Sequence, residues 1–322
     1  MSVVVGVDVG GSKVLTAVVS PTGEVVRSVL ARTPGRLVDA AVVEDVMTDA
    51  VLAVAEGETI EAIGVAAAGF VDPPGERVVF APHLPWRGED LRDRLAERWG
   101  TPVVLENDAN CTAVAEAAYG AAAGDGIGVV VTMGTGIGGA VLVDGRVLRG
   151  RNGMTGEFGH MQVVPDGQPC ECGRRGCWEQ YASGNALVRY ARAQIGLEPS
   201  VLTEACGGDP DRLTGPMVTD AAGDGDLVAR NAFGSVGHWL GVGLANLVAA
   251  LDPHRIVVGG GVSAAGDRLL EPARTALDRS LVAADHRVVP PVRAARLGPE
   301  SGVVGAAELA RRFTTDAAQA RR

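Results

Sequence analysis

The chain reads as an α/β protein built from two similar halves. The opening Val3-Val4-Val5-Gly6-Val7-Asp8-Val9 is an apolar run of strand length closed by the turn Gly10-Gly11-Ser12-Lys13; Val14 to Val19 then returns as a second strand, reversing at Ser20-Pro21-Thr22-Gly23. The same order of strand, glycine turn, strand and Gly turn recurs at Gly128 to Met133, Gly134-Thr135-Gly136-Ile137-Gly138-Gly139, Ala140 to Val143 and Asp144-Gly145, the trace of an internal duplication. A length of 322 residues suits about two domains of roughly 150 residues each.

The elements between follow from periodicity. Val38 to Glu56 has helical spacing, Ala62 to Ala68 is a small-residue strand, and Asp90 to Trp99 is an amphipathic helix closed by Gly100. Val103-Val104-Leu105 is a strand that ends at Glu106-Asn107-Asp108, ahead of the Ala-rich helical segment Ala109 to Ala118. The second half continues through a cysteine-rich insert over about 151 to 182, helices to about 251, the strand Arg255 to Val258 and a third glycine cluster, Gly259-Gly260-Gly261. The tail from Gly302 to Arg312 is Ala-rich and helical. Asn231 to Leu251 carries no formal charge and is long enough to cross a bilayer. Its Asn231, Ser235, His238 and Asn246, and its passage through Asp252-Pro253 into a strand, predict a buried helix and no membrane contact.

Composition excludes several functions. The 29 basic residues face 39 acidic ones for a net charge of −10, and no Lys/Arg-rich block stands out, which argues against nucleic-acid binding. The N-terminus has no basic leader and reaches Asp8 almost at once, so it is not a signal peptide and a cytoplasmic protein is expected. Five cysteines, three of them between 170 and 177, fit a metal site in a reducing compartment better than a disulfide framework. The 45 glycines are about twice the usual share of about 7%, clustered after apolar runs.

Glycine turns after strands let backbone N–H groups converge on phosphate oxygens, and three such turns point to a polyphosphate ligand; tight hairpins alone are the competing reading. Gly134-x-Gly136-x-x-Gly139 matches the dinucleotide fingerprint in letters, yet a strand follows where that motif needs a helix. Gly6 to Lys13 misses the P-loop because Ser12 stands between Gly11 and Lys13. Asp8, at the end of a buried strand, either holds Mg²⁺ through water beside a triphosphate or makes a local turn hydrogen bond. Asp108 is either a base for a substrate hydroxyl or a helix N-cap. His160 with Cys170, Cys172 and Cys177 makes a complete Cys₃His zinc set of structural type, with free thiols as the competing reading. Zinc there would aim the flanking Glu157 and Glu179 at one point, as acceptors for sugar hydroxyls, with solvated surface glutamates as the competing reading. Cys111 reads as a small buried hydrophobe, and Cys206 has no assigned role.

Together, Asp8-x-Gly10-Gly11-Ser12-Lys13, Glu106-Asn107-Asp108-Ala109-Asn110, Gly134-Thr135-Gly136-Ile137-Gly138-Gly139, and Glu157-x-Gly159-His160 with Cys170-x-Cys172-Gly173-x-x-Gly176-Cys177-x-Glu179 resemble the ROK family of sugar kinases and repressors. Within it the resemblance is to bacterial ATP-dependent glucokinases of actinobacterial type, from Gly6 to about Gly305. The resemblance implies an actin/hexokinase-like (ribonuclease H-like) fold of two α/β domains with a cleft between them. Residues 1–109 and about 303–322 would form the small domain, and 110–302 the large one with the zinc insert. It implies Asp108 as the base on the sugar 6-hydroxyl, with Gly69, Asn107, Glu157, His160 and Glu179 on the other hydroxyls and His160 also on zinc. Asp8, Gly10, Gly11, Ser12 and Lys13 fall in the first phosphate motif, Gly134, Thr135, Gly136 and Gly138 in the second, and Gly259, Gly260, Gly261 and Val262 in the adenosine region.

The expected activity is transfer of the γ-phosphoryl of Mg-ATP to glucose by a homodimer or homotetramer. The alternatives are another hexose kinase, acting on mannose, fructose or N-acetylglucosamine, or a polyphosphate-dependent glucokinase. A sugar-responsive repressor is disfavoured, since the first strand starts at Val3 with no room for a DNA-binding domain. Two positions depart from the family pattern: Ser12 replaces its usual Thr, and His83 in Ala81-Pro82-His83-Leu84-Pro85-Trp86 stands where many relatives have Asn, a change that bears on hexose preference.

Overall fold

The computed structural model describes residues 2–320; Met1, Arg321 and Arg322, which the expected domain limits include, lie outside the described residues. In chain order come β1 (Ser2–Val9), β2 (Lys13–Val19), β3 (Val25–Arg32), α1 (Ala40–Ala55), β4 (Thr59–Ala67), β5 (Phe70–Val71), β6 (Val78–Phe80), α2 (Leu91–Trp99), β7 (Val103–Asn107) and α3 (Asp108–Tyr119). There follow β8 (Ile127–Met133), β9 (Ile137–Val143), β10 (Arg146–Val147), α4 (Glu179–Ala182), α5 (Gly184–Arg192), α6 (Leu202–Ala205), α7 (Gly215–Asp224), α8 (Leu227–Leu251), β11 (Arg255–Gly259), α9 (Asp267–Ser280), β12 (Val292–Ala294) and α10 (Ser301–Ala320).

The first sheet has the order β3-β2-β1-β4-β7, and the second the order β10-β9-β8-β11-β12. In the first, β1 and β2 are antiparallel while β1, β4 and β7 are parallel; in the second, β8, β11 and β12 are parallel. The repeated strand-turn-strand signature therefore extends to a repeated strand order. The edge strand β3 escapes the sequence reading because its exposure alternates residue by residue and Leu30 points to solvent, so no buried run marks it.

Period-two alternation along β1 sorts its side chains. Val5, Val7 and Val9 pack with Met47, Val51 and Val54 of α1 and with Leu91 and Leu95 of α2. Val4, Gly6 and Asp8 take the opposite face, where Val4 meets Val303, Val304 and Ala307 of α10. That helix lies so close that a Cβ on Gly6 would stand 2.0 Å from the Val303 carbonyl oxygen, and one on Gly64 of β4 1.8 Å from that of Ala306. Ala62 and Ala66 share this face. The small residues of β4 are thus the condition for docking α10.

The chain divides into two compact units, within the described residues 2–125, 140–155 and 296–320 for one, and 126–139 with 156–295 for the other. The first extends past the limit expected after residue 109, because Cys111 and Ala115 on the buried face of α3 pack with α10. In this unit the buried Glu116 accepts hydrogen bonds from the N–H groups of Ala121, Arg296 and Leu297 at 2.7, 2.8 and 2.8 Å. A single carboxylate therefore fixes the chain just before its first departure from the unit and just after its last return. In the other unit α8 is long and apolar enough to cross a membrane by length and composition. Its Gly237 and Gly241 sit against the Leu269 and Ala273 backbone of α9, and Leu240 and Leu244 are fully buried, so it is a core helix.

Candidate active site

Asp108 is the first residue of α3, directly after β7. The N-cap is Asn107, whose Oδ1 accepts the Asn110 N–H at 3.1 Å. The capping role therefore falls to the neighbour and leaves Asp108 for other work. Its Oδ1 accepts the Ala109 N–H at 2.9 Å and the Asn107 amide at 3.0 Å, and that amide also donates to the Gly69 carbonyl at 3.0 Å. Burial raises the proton affinity of Asp108 above the usual carboxylate range, opposed by these hydrogen bonds. Beneath it, the Glu106 carboxylate accepts the Asn107 N–H and Asn110 amide through Oε1, and both Nε and Nη2 of Arg149 through Oε2.

The first glycine turn is closed by the Gly10 N–H donating to the Lys13 carbonyl at 2.9 Å. Thr33 clamps it, donating its hydroxyl to the Gly10 carbonyl at 2.7 Å and its N–H to that of Ser12 at 3.1 Å. Gly11, Ser12 and Lys13 are exposed at the tip. His83 lies over this turn: a Cβ on Gly11 would stand 2.6 Å from the His83 Cβ. Asp8 points at the start of α10, where a Cβ on Gly302 would come within 2.6 Å of its Oδ2. Its carboxyl is pushed up to about 7 by burial and by the charge of Asp108, with Lys13 opposing. A buried carboxylate that resists ionisation beside a glycine turn suits a divalent cation, which would restore its charged form.

In the second unit, Gly134 and Thr135 line a cavity of about 500 Å³ together with Gly184, Asn185, Leu187, Val188, Gly215, Pro216, Thr219, Asp220, Gly261 and Val262. The turn is tied to α5 by the Gly184 N–H, which donates to the Gly134 carbonyl at 2.9 Å. Gly136, Gly138, Gly259 and Gly260 are not among the lining residues. Gly136 makes room for Glu179, whose Oε2 accepts the Ile137 N–H at 3.0 Å. Gly260, at φ +85°, allows close approach to the Met133 backbone. Of the third cluster, Gly261 and Val262 reach the cavity while the other two glycines build its support.

His160, Cys170, Cys172 and Cys177 present ligand atoms that all lie within 4.8 Å of one another. The His160 Nδ1 is 3.8 Å from the Cys170 sulfur, and the sulfurs of Cys172 and Cys177 are 3.6 Å apart. A tetrahedral ion with bonds of about 2.3 Å to sulfur requires edges of about 3.7 Å, so this donor set fits zinc. Nδ1 turned to the thiols leaves Nε2 facing Glu157, whose Oε2 is 3.9 Å away. Burial and the neighbouring thiols push Cys177 up to about 12, so metal uptake must displace protons. Trp178 anchors the loop, fully buried against Gly243 with its indole N–H donating to the Trp239 carbonyl at 2.7 Å.

The model of the ROK family matches residues 4–313. The chain belongs to the ROK family. It is 41% identical to a glucokinase of Streptomyces coelicolor over 97% of this chain and 98% of that one. The crystal structure of a ROK family glucokinase from Streptomyces griseus in complex with glucose and AMPPNP matches with a TM-score of 0.87 at 42% identity, over 96% of this chain and 99% of that chain. A ROK hexokinase from Thermus thermophilus gives a TM-score of 0.76 at 34% identity, over 97% and 99%. The fold is accordingly the actin/hexokinase-like one of ROK glucokinases.

Several residues around the ROK motifs were not legible as site residues. Thr33, Arg149 and Gly302 come from elements remote in sequence from the groups they touch, and nothing local marks them. Ser183-Gly184 did carry a signal, since Ser183 is an N-cap for α5 and helix N-termini attract phosphate.

Proposed function

We propose that this chain is a glucokinase in which Asp108 is the base. The observation that carries the reading is its carboxylate, which begins α3 directly after β7 without serving as the N-cap: Oδ1 is held by Ala109 and Asn107, and burial raises its proton affinity. Glucose would be held by the Gly69 carbonyl, Asn107, Glu157, His160 Nε2 and Glu179, with its 6-hydroxyl on Asp108. That hydroxyl oxygen forms a bond to the γ-phosphorus of ATP as the bond from phosphorus to the bridging oxygen breaks; ADP departs with that electron pair and Asp108 takes the hydroxyl proton. Because the transition state is loose, the base chiefly orients the nucleophile and accepts its proton late.

Gly10, Gly11, Ser12 and Lys13 would meet the phosphates, as would Gly134, Thr135, Gly136 and Gly138. The cavity by α5, with Gly261 and Val262, would take the adenosine. Magnesium, held by Asp8 through water, would neutralise phosphate charge when bound. Zinc on His160, Cys170, Cys172 and Cys177 would be structural, fixing Glu157 and His160. The same reading makes the protein a cytoplasmic homodimer or homotetramer that binds neither nucleic acid nor membranes. The test is glucose 6-phosphate formation with Mg-ATP beside Asp108→Asn of equal zinc content. The wild type should turn over at about 1 to 100 per second and the variant fall by about 10² or more. An inactive wild type refutes a preference for glucose, and activity on mannose, fructose or N-acetylglucosamine would then assign the substrate and implicate His83.

A further inference from the structure

A buried salt bridge beneath the proposed base has no part in the chemistry just described. Glu106 is 2% exposed at its side chain, and its carboxylate receives two donors from Arg149, at 2.7 Å from Nε and 2.6 Å from Nη2. The other oxygen receives the Asn107 N–H at 3.0 Å and the Asn110 amide at 2.9 Å. Asn110 has no other hold on its side chain among the described residues, since its Oδ1 is buried without a partner. Asn107 in turn caps α3 and touches Asp108. A continuous chain of hydrogen bonds thus runs from Arg149 through Glu106 and Asn107 to Asp108. The surroundings are rich in negative charge: Asp8, Glu106 and Asp108 all bear on the Cys111 thiol, and Arg149 is the cation that opposes them there.

We infer that Arg149 is a positioning residue for the phosphoryl transfer, anchoring the Glu106 carboxylate so that it fixes Asn107 and Asn110 and thereby aims Asp108. This rests on Asp108 being the base. A carboxylate buried this deeply is costly to leave without its cation; without Arg149 it loses two of its donors and turns from its place, and the Asn107–Asp108 corner loses its support. Sugar affinity depends on other groups as well, so the loss falls on the chemical step.

The test compares kcat and KM for glucose and Mg-ATP in the wild type, Arg149→Met, Arg149→Lys and the double variant Glu106→Gln with Arg149→Met. Arg149→Met should lose about 10- to 100-fold in kcat with both KM values within about 3-fold. The double variant keeps an acceptor for Asn107 and Asn110 but no buried charge, and should recover at least half of that loss on a logarithmic scale, which a merely structural role would not produce. A wild-type kcat in Arg149→Met, or a double variant no better than the single, overturns the inference. Should Arg149→Met fail to fold, Arg149→Lys carries the test. One ammonium cannot replace two guanidinium contacts, so its kcat should fall about 3- to 10-fold, and an unchanged kcat again overturns the inference. A wild type inactive on glucose, mannose, fructose and N-acetylglucosamine alike refutes the kinase reading and this inference with it, whereas a wild type active on any of them, with an unaffected Arg149→Met on that hexose, refutes this inference alone.

Discussion

Asp8 links the pH response of this protein to its cation. Its carboxyl lies at about 7 in the fold, against an ordinary value of 3.8, through burial and the charge of Asp108. Between those values the folded state binds a proton that the unfolded state has released, so stability falls as pH rises through that window and the full cost stands above pH 7. Asp8→Asn has no such cost. In urea unfolding without divalent cations it should gain about 1–3 kcal/mol on the wild type between pH 5 and pH 8. Parallel profiles for the two proteins would refute the assignment. Magnesium should narrow the gap at pH 8 by stabilising the ionised wild type, as a ligand of the folded state alone does. The residue types at 8 and 108 were legible as candidates in the sequence, each with an alternative open. What the sequence could not show is that Asn107 takes the N-cap, which frees Asp108, or that the alternation of β1 turns Asp8 toward the start of α10.

At the scale of elements, two fittings set the stability. The first is α10 on β1 and β4, where Gly64 faces the Ala306 carbonyl with no room for a methyl group. Gly64→Ala should cost about 1–3 kcal/mol or more, read as a fall in the urea midpoint, while Gly57→Ala, where a Cβ meets open space at φ +80°, should cost only about 1 kcal/mol of backbone strain. The second is the loop that carries His160, Cys170, Cys172 and Cys177, tied into α8 by Trp178. Chelation should lower the melting temperature and abolish glucose phosphorylation, and zinc should restore both where magnesium does not. Unchanged melting after the metal is stripped would refute a structural ion. The cysteine spacing was enough to propose this site, because its ligands lie close together in the chain. The glycines were not: a sequence shows that Gly64 is small, and only the packed helix shows why.

For the whole molecule, the repeated strand order of the two sheets is the largest feature that the sequence carried in outline. The net charge of −10 acts at this scale too, with no basic track to hold a long polyanion. With glucose, inorganic polyphosphate should therefore support less than about a tenth of the rate seen with ATP at equal phosphoryl concentration; equal rates would refute the donor assignment, and light scattering of the same sample should give a mass of two or four chains. What the sequence determined by itself was whatever depends on neighbours in the chain: strand and helix periods, glycine turns, the Cys₃His set and the strand-end carboxylates. What the tertiary structure alone decided were the partnerships between distant segments. Arg149 reaches Glu106, Thr33 clamps the first turn, Glu116 holds the backbone at Arg296 and Leu297, and α10 completes a unit begun at the N-terminus. The physical reason is that periodicity and turn chemistry are local properties of a chain, whereas burying a charge or seating a helix on glycine needs atoms that meet only once the chain has folded.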